Sequence, residues 1–351
     1  MESMVIVMRI LVTGHDGYIG SVMTPILRVA GHEVVGLDTY FYEDCIFGKY
    51  FSPVSTIRKD IRDIASTDLK DFDAIIHLAA LCNDPLSDLN PEWTYDINHI
   101  ASVRLAKLAK DAGVKRFLYA SSCSMYGAAG DEILAEDAPL CPLTPYAISK
   151  VRTELDVSRL ADKDFSPVFM RNATAYGVSP KLRADLVLNN LLCWACTTGK
   201  VRIMSDGTPW RPIVHIEDIS NAFKAALTAP TEKIHNQAFN VGVDNENYQV
   251  HQLAEIVQET VPGCQIEYAG KEGPDPRNYR VDFSKLAKTF PGLKMKWNAR
   301  LGAKELYAAI QDIRLTLEDF QGRKYIRLTQ IKHLLESGNL DDTLRWNIKE
   351  N

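Results

Sequence analysis

Arg9-Ile-Leu-Val-Thr-Gly-His-Asp-Gly-Tyr-Ile-Gly20 carries an apolar run straight into three glycines spaced by two residues each. Val5 to Val12 has the apolar, β-branched composition of a strand buried on both faces of a parallel sheet. Gly14, Gly17 and Gly20 then turn the chain into a helix. The first glycine permits a tight turn, the second leaves room for backbone N–H groups to meet a pyrophosphate, and the third lets helix and strand pack closely. The positive end of the helix adds to that anion site. Glu33-Val-Val-Gly-Leu-Asp38 reads as the second strand. Asp38 falls at its end, about 20 residues past the glycines, where an acid holds a ribose 2′-OH and repels a 2′-phosphate. A glycine triplet alone could be an ordinary strand-to-helix turn. The strand before it, the helix after it and the acid downstream make it the floor of a dinucleotide site, with NAD as the expected cofactor.

Outward from this loop, short apolar runs alternate with helical patterns from Ile10 to about Gly177, the signature of repeated βαβ units. Strands are expected at Ile10–Thr13, Glu33–Leu37, Thr56–Lys59, Ala74–Leu78, Arg116–Ala120 and Val168–Arg171. A helix over Ser102–Gly113 stops on its glycine. Residues 1–177 therefore read as an α/β, Rossmann-type doubly wound parallel sheet, with return segments near 213–243 that include a strand near Ala238–Val241. Residues 178–351 read as a smaller mixed α/β domain closing a cleft over the strand ends, where ligands of doubly wound sheets bind. It holds a helical Leu186–Thr198, the loop Ser205–Pro212 and a Gly/Pro-rich Gly263–Pro276. Arg323 to Trp346 is an amphipathic helical pattern ended by Gly338 and followed by a short second piece; it either caps the second half or forms a subunit contact.

With 46% hydrophobic and 24% charged residues, the 351-residue chain has a globular composition and ample length for a core. Forty basic residues face 45 acidic ones, a net charge of −5 without a long basic run. Nucleic acid and membrane are thus not expected partners. The apolar N-terminus is too short to span a bilayer and runs into the glycine loop, so it reads as a strand and the protein as cytoplasmic. Seven cysteines, an odd number scattered from Cys45 to Cys264, suit a reducing compartment. Cys193-Trp-Ala-Cys196 has a metal-like spacing, but no second pair or histidine cluster accompanies it, and helix-packed thiols with no metal are expected.

Pro145-Tyr-Ala-Ile-Ser-Lys150 puts Tyr146 and Lys150 four apart, on one helix face. Tyr119-Ala-Ser-Ser-Cys-Ser-Met-Tyr-Gly127 places serines at the C-terminal end of an expected strand, on the rim that carries the glycine loop. With these motifs in order, the sequence resembles the extended short-chain dehydrogenase/reductase family, the nucleotide-sugar epimerases and dehydratases, over nearly the whole chain. The resemblance implies an NAD loop at Thr13–Gly20 in which Gly14, Asp16, Gly17, Tyr18, Ile19 and Gly20 contact the cofactor. It implies an adenine-contact pair at Asp60-Ile61, a cofactor-bordering strand end at His77-Leu78-Ala79-Ala80, and a helix asparagine near the active site at Asn98. Ser122, Tyr146 and Lys150 match the catalytic residues, the last two also touching NAD. Trp210-Arg-Pro-Ile-Val-His-Ile-Glu-Asp218 resembles the segment whose arginine, Arg211, faces the nucleotide, and Pro276-Arg-Asn-Tyr-Arg-Val-Asp282 the one whose arginine, Arg277, contacts the diphosphate. Ser124, Asn172 and Thr174 join the implied substrate contacts. Thr174 stands where a substrate-contacting asparagine is usual, which leaves the sugar open. Asn83 and Asp84 either read sugar hydroxyls or start the loop before Pro85.

The chemistry of these residue types agrees. A sugar hydroxyl must lose its proton as hydride leaves the same carbon, and a tyrosine takes that proton only if its phenol ionises near neutral pH. Lowering a pKa of about 10 to about 7 takes ~4 kcal/mol. A cation at ~4 Å in a cleft of effective dielectric ~20 supplies ~4 kcal/mol, so Lys150 is sufficient in principle. Forked guanidinium donors suit Arg211 and Arg277 to a diphosphate. In the family's 4,6-dehydratases acids follow the catalytic Ser/Thr, whereas this chain has Cys123 and Ser124, so 4,6-dehydration is disfavoured. The expected activity is an NAD-dependent nucleotide-sugar epimerase working through a transient keto sugar at C4, as a homodimer. A net nucleotide-ketosugar reductase or dehydrogenase is the alternative, and a non-catalytic dinucleotide-binding protein a third reading that would usually lack the tyrosine or lysine.

Overall fold

Ile10 to Thr13 are fully buried in the computed structural model, which describes residues 7–49, 54–82, 84–268 and 277–347, the side chains of 129 and 131 apart. The chain forms β1 (Arg9–Thr13), β2 (Glu33–Asp38), β3 (Ser55–Arg58), β4 (Ala74–His77), β5 (Arg116–Ser122), β6 (Ala128–Leu134) and β7 (Ser166–Asn172). It continues with β8 (Thr174–Tyr176), β9 (Lys200–Ile203), β10 (Trp210–His215), β11 (Gln237–Val241), β12 (Asn247–Gln249), β13 (Gln265–Tyr268) and β14 (Asn278–Val281). Seven of these make one sheet in the order β11-β7-β5-β4-β1-β2-β3, every pairing parallel. The expected Ala238–Val241 strand is its edge strand, β11.

Alternation along β1 explains the two layers: Ile10 and Val12 pack with Leu27 and Phe223 on one face, while Leu11 packs with Leu105 and Phe169 on the other. Strand order runs outward from β1 in both directions, so a crevice opens at the C-terminal ends of β1 and β4, where such sheets bind ligands. The glycine turn and the Leu78–Ala80 strand end both lie at that point.

The smaller part is built around helices Val187–Thr198, Val250–Thr260 and Ala299–Ile313, which share a core of Leu188, Leu192, Leu253, Val257, Ala303 and Leu306. β8, β10 and β12 form one small sheet, β9 pairs with β13, and β14 pairs with β6. Cys193 is a buried free thiol in the first of these helices and Cys196 a half-buried one. No helix among the described residues is long and apolar enough to cross a membrane.

The C-terminal tail begins against the second half, where Tyr325 is buried, and then leaves it. Its helix, Arg327–Glu336, ends near Gly338 at φ +66°. Ile331, Leu334, Leu340 and Leu344 then bury in the cluster that holds Leu11, Val35 and Leu37. The tail therefore returns to the first half. The Arg62 guanidinium fastens it there by donating to the carbonyls of Thr343 (2.8 Å) and Leu344 (3.0 Å), and the Trp346 Nε1–H by donating to that of Thr39 (2.6 Å).

Candidate active site

Gly14 adopts φ +73°, donates its N–H to the Leu37 carbonyl at 2.8 Å, and lies so close to the β4 strand end that a Cβ would sit 2.7 Å from the Ala79 nitrogen. Only glycine satisfies both demands. A Cβ on Gly20 would fall 2.3 Å from the Gly14 carbonyl oxygen, so the helix Gly20–Val29 starts tight against the turn. Together these segments floor a cavity of about 810 Å³, near the upper end of the ~300–1,000 Å³ of ligand clefts.

Gly14, Gly17, Tyr18, Ile19 and Gly20 all line it. The amides of the last three precede the first intrahelical bond, so the helix leaves them unspent. Asp38, Asp60, Ile61, Leu78, Ala79 and Ala80 complete this wall. The Asp38 carboxylate accepts from the amides of Asp16 (3.1 Å) and Tyr40 (2.8 Å), which fixes it at the rim. The nearby cations are committed elsewhere, Arg58 to Glu43 at 2.5 Å and Lys59 to Asp68 at 2.6 Å.

Three expected contacts are placed otherwise. Asp16 sends its carboxylate to the Lys181 ammonium at 2.8 Å rather than into the cavity, because both side chains are almost fully buried and each is the other's compensating charge. Asn98, in a π-helical turn over Tyr95–Ile100, clamps the backbone of Leu81: its Oδ1 accepts from the Leu81 N–H at 2.8 Å and its Nδ2 donates to the Leu81 carbonyl at 2.9 Å. It positions the strand-end loop without lining the cavity. Ser124 is buried in the turn after β5, where its amide donates to Ser122 Oγ at 3.1 Å, and it too is off the cavity wall. Asn83 lies outside the described residues.

Ser122, Tyr146 and Lys150 do converge on one cavity. Thr144 starts helix Pro145–Ser158 by accepting from the Ala147 N–H at 3.2 Å, and Pro145 sets the first helical turn. That start puts Tyr146 at the helix mouth and Lys150 one turn deeper, 3% exposed. Ser122 is near enough to the Tyr146 phenol to favour its ionised form. Lys150 donates to the Ala120 carbonyl at 2.7 Å and lies 5.5 Å from the centre of the Tyr146 ring. Burial lowers its pKa to about 8.

Burial pushes the Tyr146 phenol above its ordinary value, and the Cys82 and Asp84 side chains add to that; the nearby Ser122 side chain opposes it. Without ligand the phenol is protonated at neutral pH.

Across the cleft, Asn172, Thr174, Arg211 and Arg277 also line the cavity. Asn172 Oδ1 and Ser121 Oγ are buried without a partner among the described residues. Arg211 donates to the carbonyls of Trp210 (2.7 Å) and Arg277. Arg277 pairs with Asp84 at 2.9 Å, and Thr144 donates to the same carboxylate at 2.7 Å. Asp84 thus begins helix Asp84–Leu89 and also bridges the cleft.

A model of the NAD dependent epimerase/dehydratase family matches residues 10–242. The chain is 31% identical to the UDP-glucose 4-epimerase of Mycolicibacterium smegmatis over 262 residues, 70% of this chain and 80% of that one. The chain belongs to the NAD-dependent epimerase/dehydratase family. It is 27% identical over 312 residues to the UDP-glucuronate 4-epimerase of Thermodesulfobacterium geofontis, 84% of this chain and 92% of that one. Among solved structures, MoeE5 in complex with UDP-glucuronic acid and NAD matches with a TM-score of 0.76 at 26% identity, covering 87% of this chain and 99% of that one.

As a member of this NAD-dependent epimerase/dehydratase family the chain is an enzyme, and NAD is its cofactor. Its own residues fit the dinucleotide: unspent amides at the glycine turn, an acid at the end of β2, and an Asp60-Ile61 wall between them. Cavity residues that the sequence reading did not single out include Arg183 and Arg327. Arg183 forks onto Asp185 at 2.9 and 3.0 Å, a pairing two residues apart that was legible in principle. Arg327 comes from the far end of the chain, and nothing local marks it.

Proposed function

We propose that this enzyme is an NAD-dependent nucleotide-sugar 4-epimerase. The observation that carries the reading is the convergence of Ser122, Tyr146 and Lys150 on the same cavity as the glycine turn and the two arginines across the cleft. Bound NAD supplies the hydride acceptor and a positive ring charge. Tyr146 takes the hydroxyl proton, Ser122 holds the reacting oxygen in line, and Lys150 stabilises the phenolate as charge develops. Arg211 and Arg277 hold the diphosphate while the keto sugar turns its other face to the cofactor, with Asn172 and Thr174 against the sugar. The positions after Ser122 put no acid into the cavity: the Cys123 thiol is buried and donates to the Arg171 carbonyl at 3.1 Å. That argues for epimerisation over dehydration.

Residues 1–177 with the return near 213–243 would then hold NAD, and 178–351 the nucleotide sugar. Exposed Ile100 and Leu155, on adjoining helices, support a homodimer, and seven free thiols accord with the cytoplasm. The test is incubation of the purified protein with a panel of UDP-, dTDP- and GDP-sugars, with proton NMR for C4 epimers and absorbance at the NADH band. Epimer formation without net NADH is expected. Stoichiometric NADH release, or elimination products, would replace the proposal with a dehydrogenase or dehydratase.

A further inference from the structure

Arg327 opens the C-terminal helix and is 5% exposed, yet among the described residues it pairs with no carboxylate. Its Nη2 donates to the Lys181 carbonyl at 2.8 Å and its guanidinium lies 4.1 Å from the centre of the Tyr42 ring. Its Nη1 is buried with no acceptor among the described residues, on a side chain that lines the cavity. A desolvated guanidinium with an unmet donor is costly unless an anionic ligand supplies the acceptor.

Two diphosphates enter this cavity, and the neighbours choose between them. Lys181, which holds Arg327 through its carbonyl, sends its ammonium to Asp16 in the glycine turn (2.8 Å). The same ammonium donates to the carbonyls of Tyr42 (3.0 Å) and Glu43 (2.8 Å), just past Asp38. The tail itself is fastened beside the adenine wall, Arg345 to Asp63 and Trp346 to Thr39. We propose that Arg327 donates through Nη1 to the diphosphate of NAD, so that the C-terminal tail clasps the cofactor. The inference rests on NAD being the resident dinucleotide. An enzyme that takes hydride onto its cofactor and then returns it from that same cofactor to the sugar gains from such a clasp, because NAD leaves only when the tail lifts.

Calorimetry of wild type, Arg327→Met and Arg327→Lys with NAD, ADP-ribose, adenosine and UDP tests it. In Arg327→Met, NAD and ADP-ribose should bind about 10- to 100-fold more weakly, with adenosine and UDP changed less than about twofold. Lysine should recover part of the loss, since it keeps the charge without the fork. Equal weakening of adenosine would reduce Arg327 to tail packing, and weakening of UDP instead would move it to the substrate; either overturns the proposal. In the unaltered chain, hydrogen exchange over residues 323–337 should slow with NAD and not with UDP. Absence of that difference overturns it even if Arg327→Met fails to fold. A wild type that binds no NAD overturns the cofactor assignment along with this inference, whereas normal NAD binding by Arg327→Met overturns this inference alone.

Discussion

Tyr146 rests protonated, half-buried beside Ser122, and in the proposed mechanism it becomes a base only as the filled cleft brings positive charge to it. Tyr146→Phe keeps the ring and its packing but removes the proton acceptor. That variant should fold and bind NAD as wild type does while turnover falls by several orders of magnitude; near-normal turnover would remove the proposed base. Lys150 carries a complementary prediction. Its ammonium is held by one carbonyl and the Tyr119 ring face, 4.6 Å away, and burial lowers its pKa to about 8. In NMR of lysine-labelled, ligand-free protein, the Lys150 Cε resonance should titrate near pH 8, well below ordinary lysines. A midpoint above about 10, the unperturbed value, would contradict the buried placement.

At the scale of elements, the glycine turn is held from beneath by a buried ion pair reaching from residue 16 to residue 181. Desolvation raises the Asp16 pKa to about 6, and the Lys181 interaction only partly offsets it. Between the unfolded value of about 4 and this folded value the native state binds more protons than the unfolded one. Asp16's contribution to stability is therefore fullest below about pH 4 and falls as pH rises to about 6. Urea unfolding of wild type against Asp16→Asn should show the stability difference shrinking across that window by on the order of 2 kcal/mol, then levelling. A flat difference would mean that the pair titrates normally. The Asn98 clamp works likewise: its two hydrogen bonds order the Leu81 backbone, so the loop after β4 is shaped by a helix rather than by its own sequence.

Across the whole molecule, the cleft is spanned by Arg277 on Asp84, with Arg211 beside it. Arg211→Ala should weaken UDP binding by about 1.5–3 kcal/mol, the range for a hydrogen bond to a charged group, with NAD affinity unchanged. Arg277→Ala should cost less, since a phosphate must first displace Asp84. Calorimetry with UDP and NAD separately checks both, and loss of NAD affinity in either variant would exchange the roles assigned to the two sides. The central sheet, the glycine turn, the acid at Asp38 and the helix bearing Tyr146 and Lys150 were all legible in the chain itself. Each is written in local terms: alternating apolar residues, a glycine where φ is positive, a threonine and proline where a helix begins. The Asp16–Lys181 pair, the turning of Asn98 and Ser124 away from the cavity, the Arg277–Asp84 bridge and the return of the tail to the first half were decided only by tertiary structure. These contacts join residues far apart in sequence, or depend on which way a buried polar group finds its partner. No spacing or periodicity along the chain encodes them. Arg327 is the extreme case: an unremarkable arginine in an amphipathic helix becomes a cavity residue only because Ile331, Leu334 and Leu344 bury against the far side of the sheet.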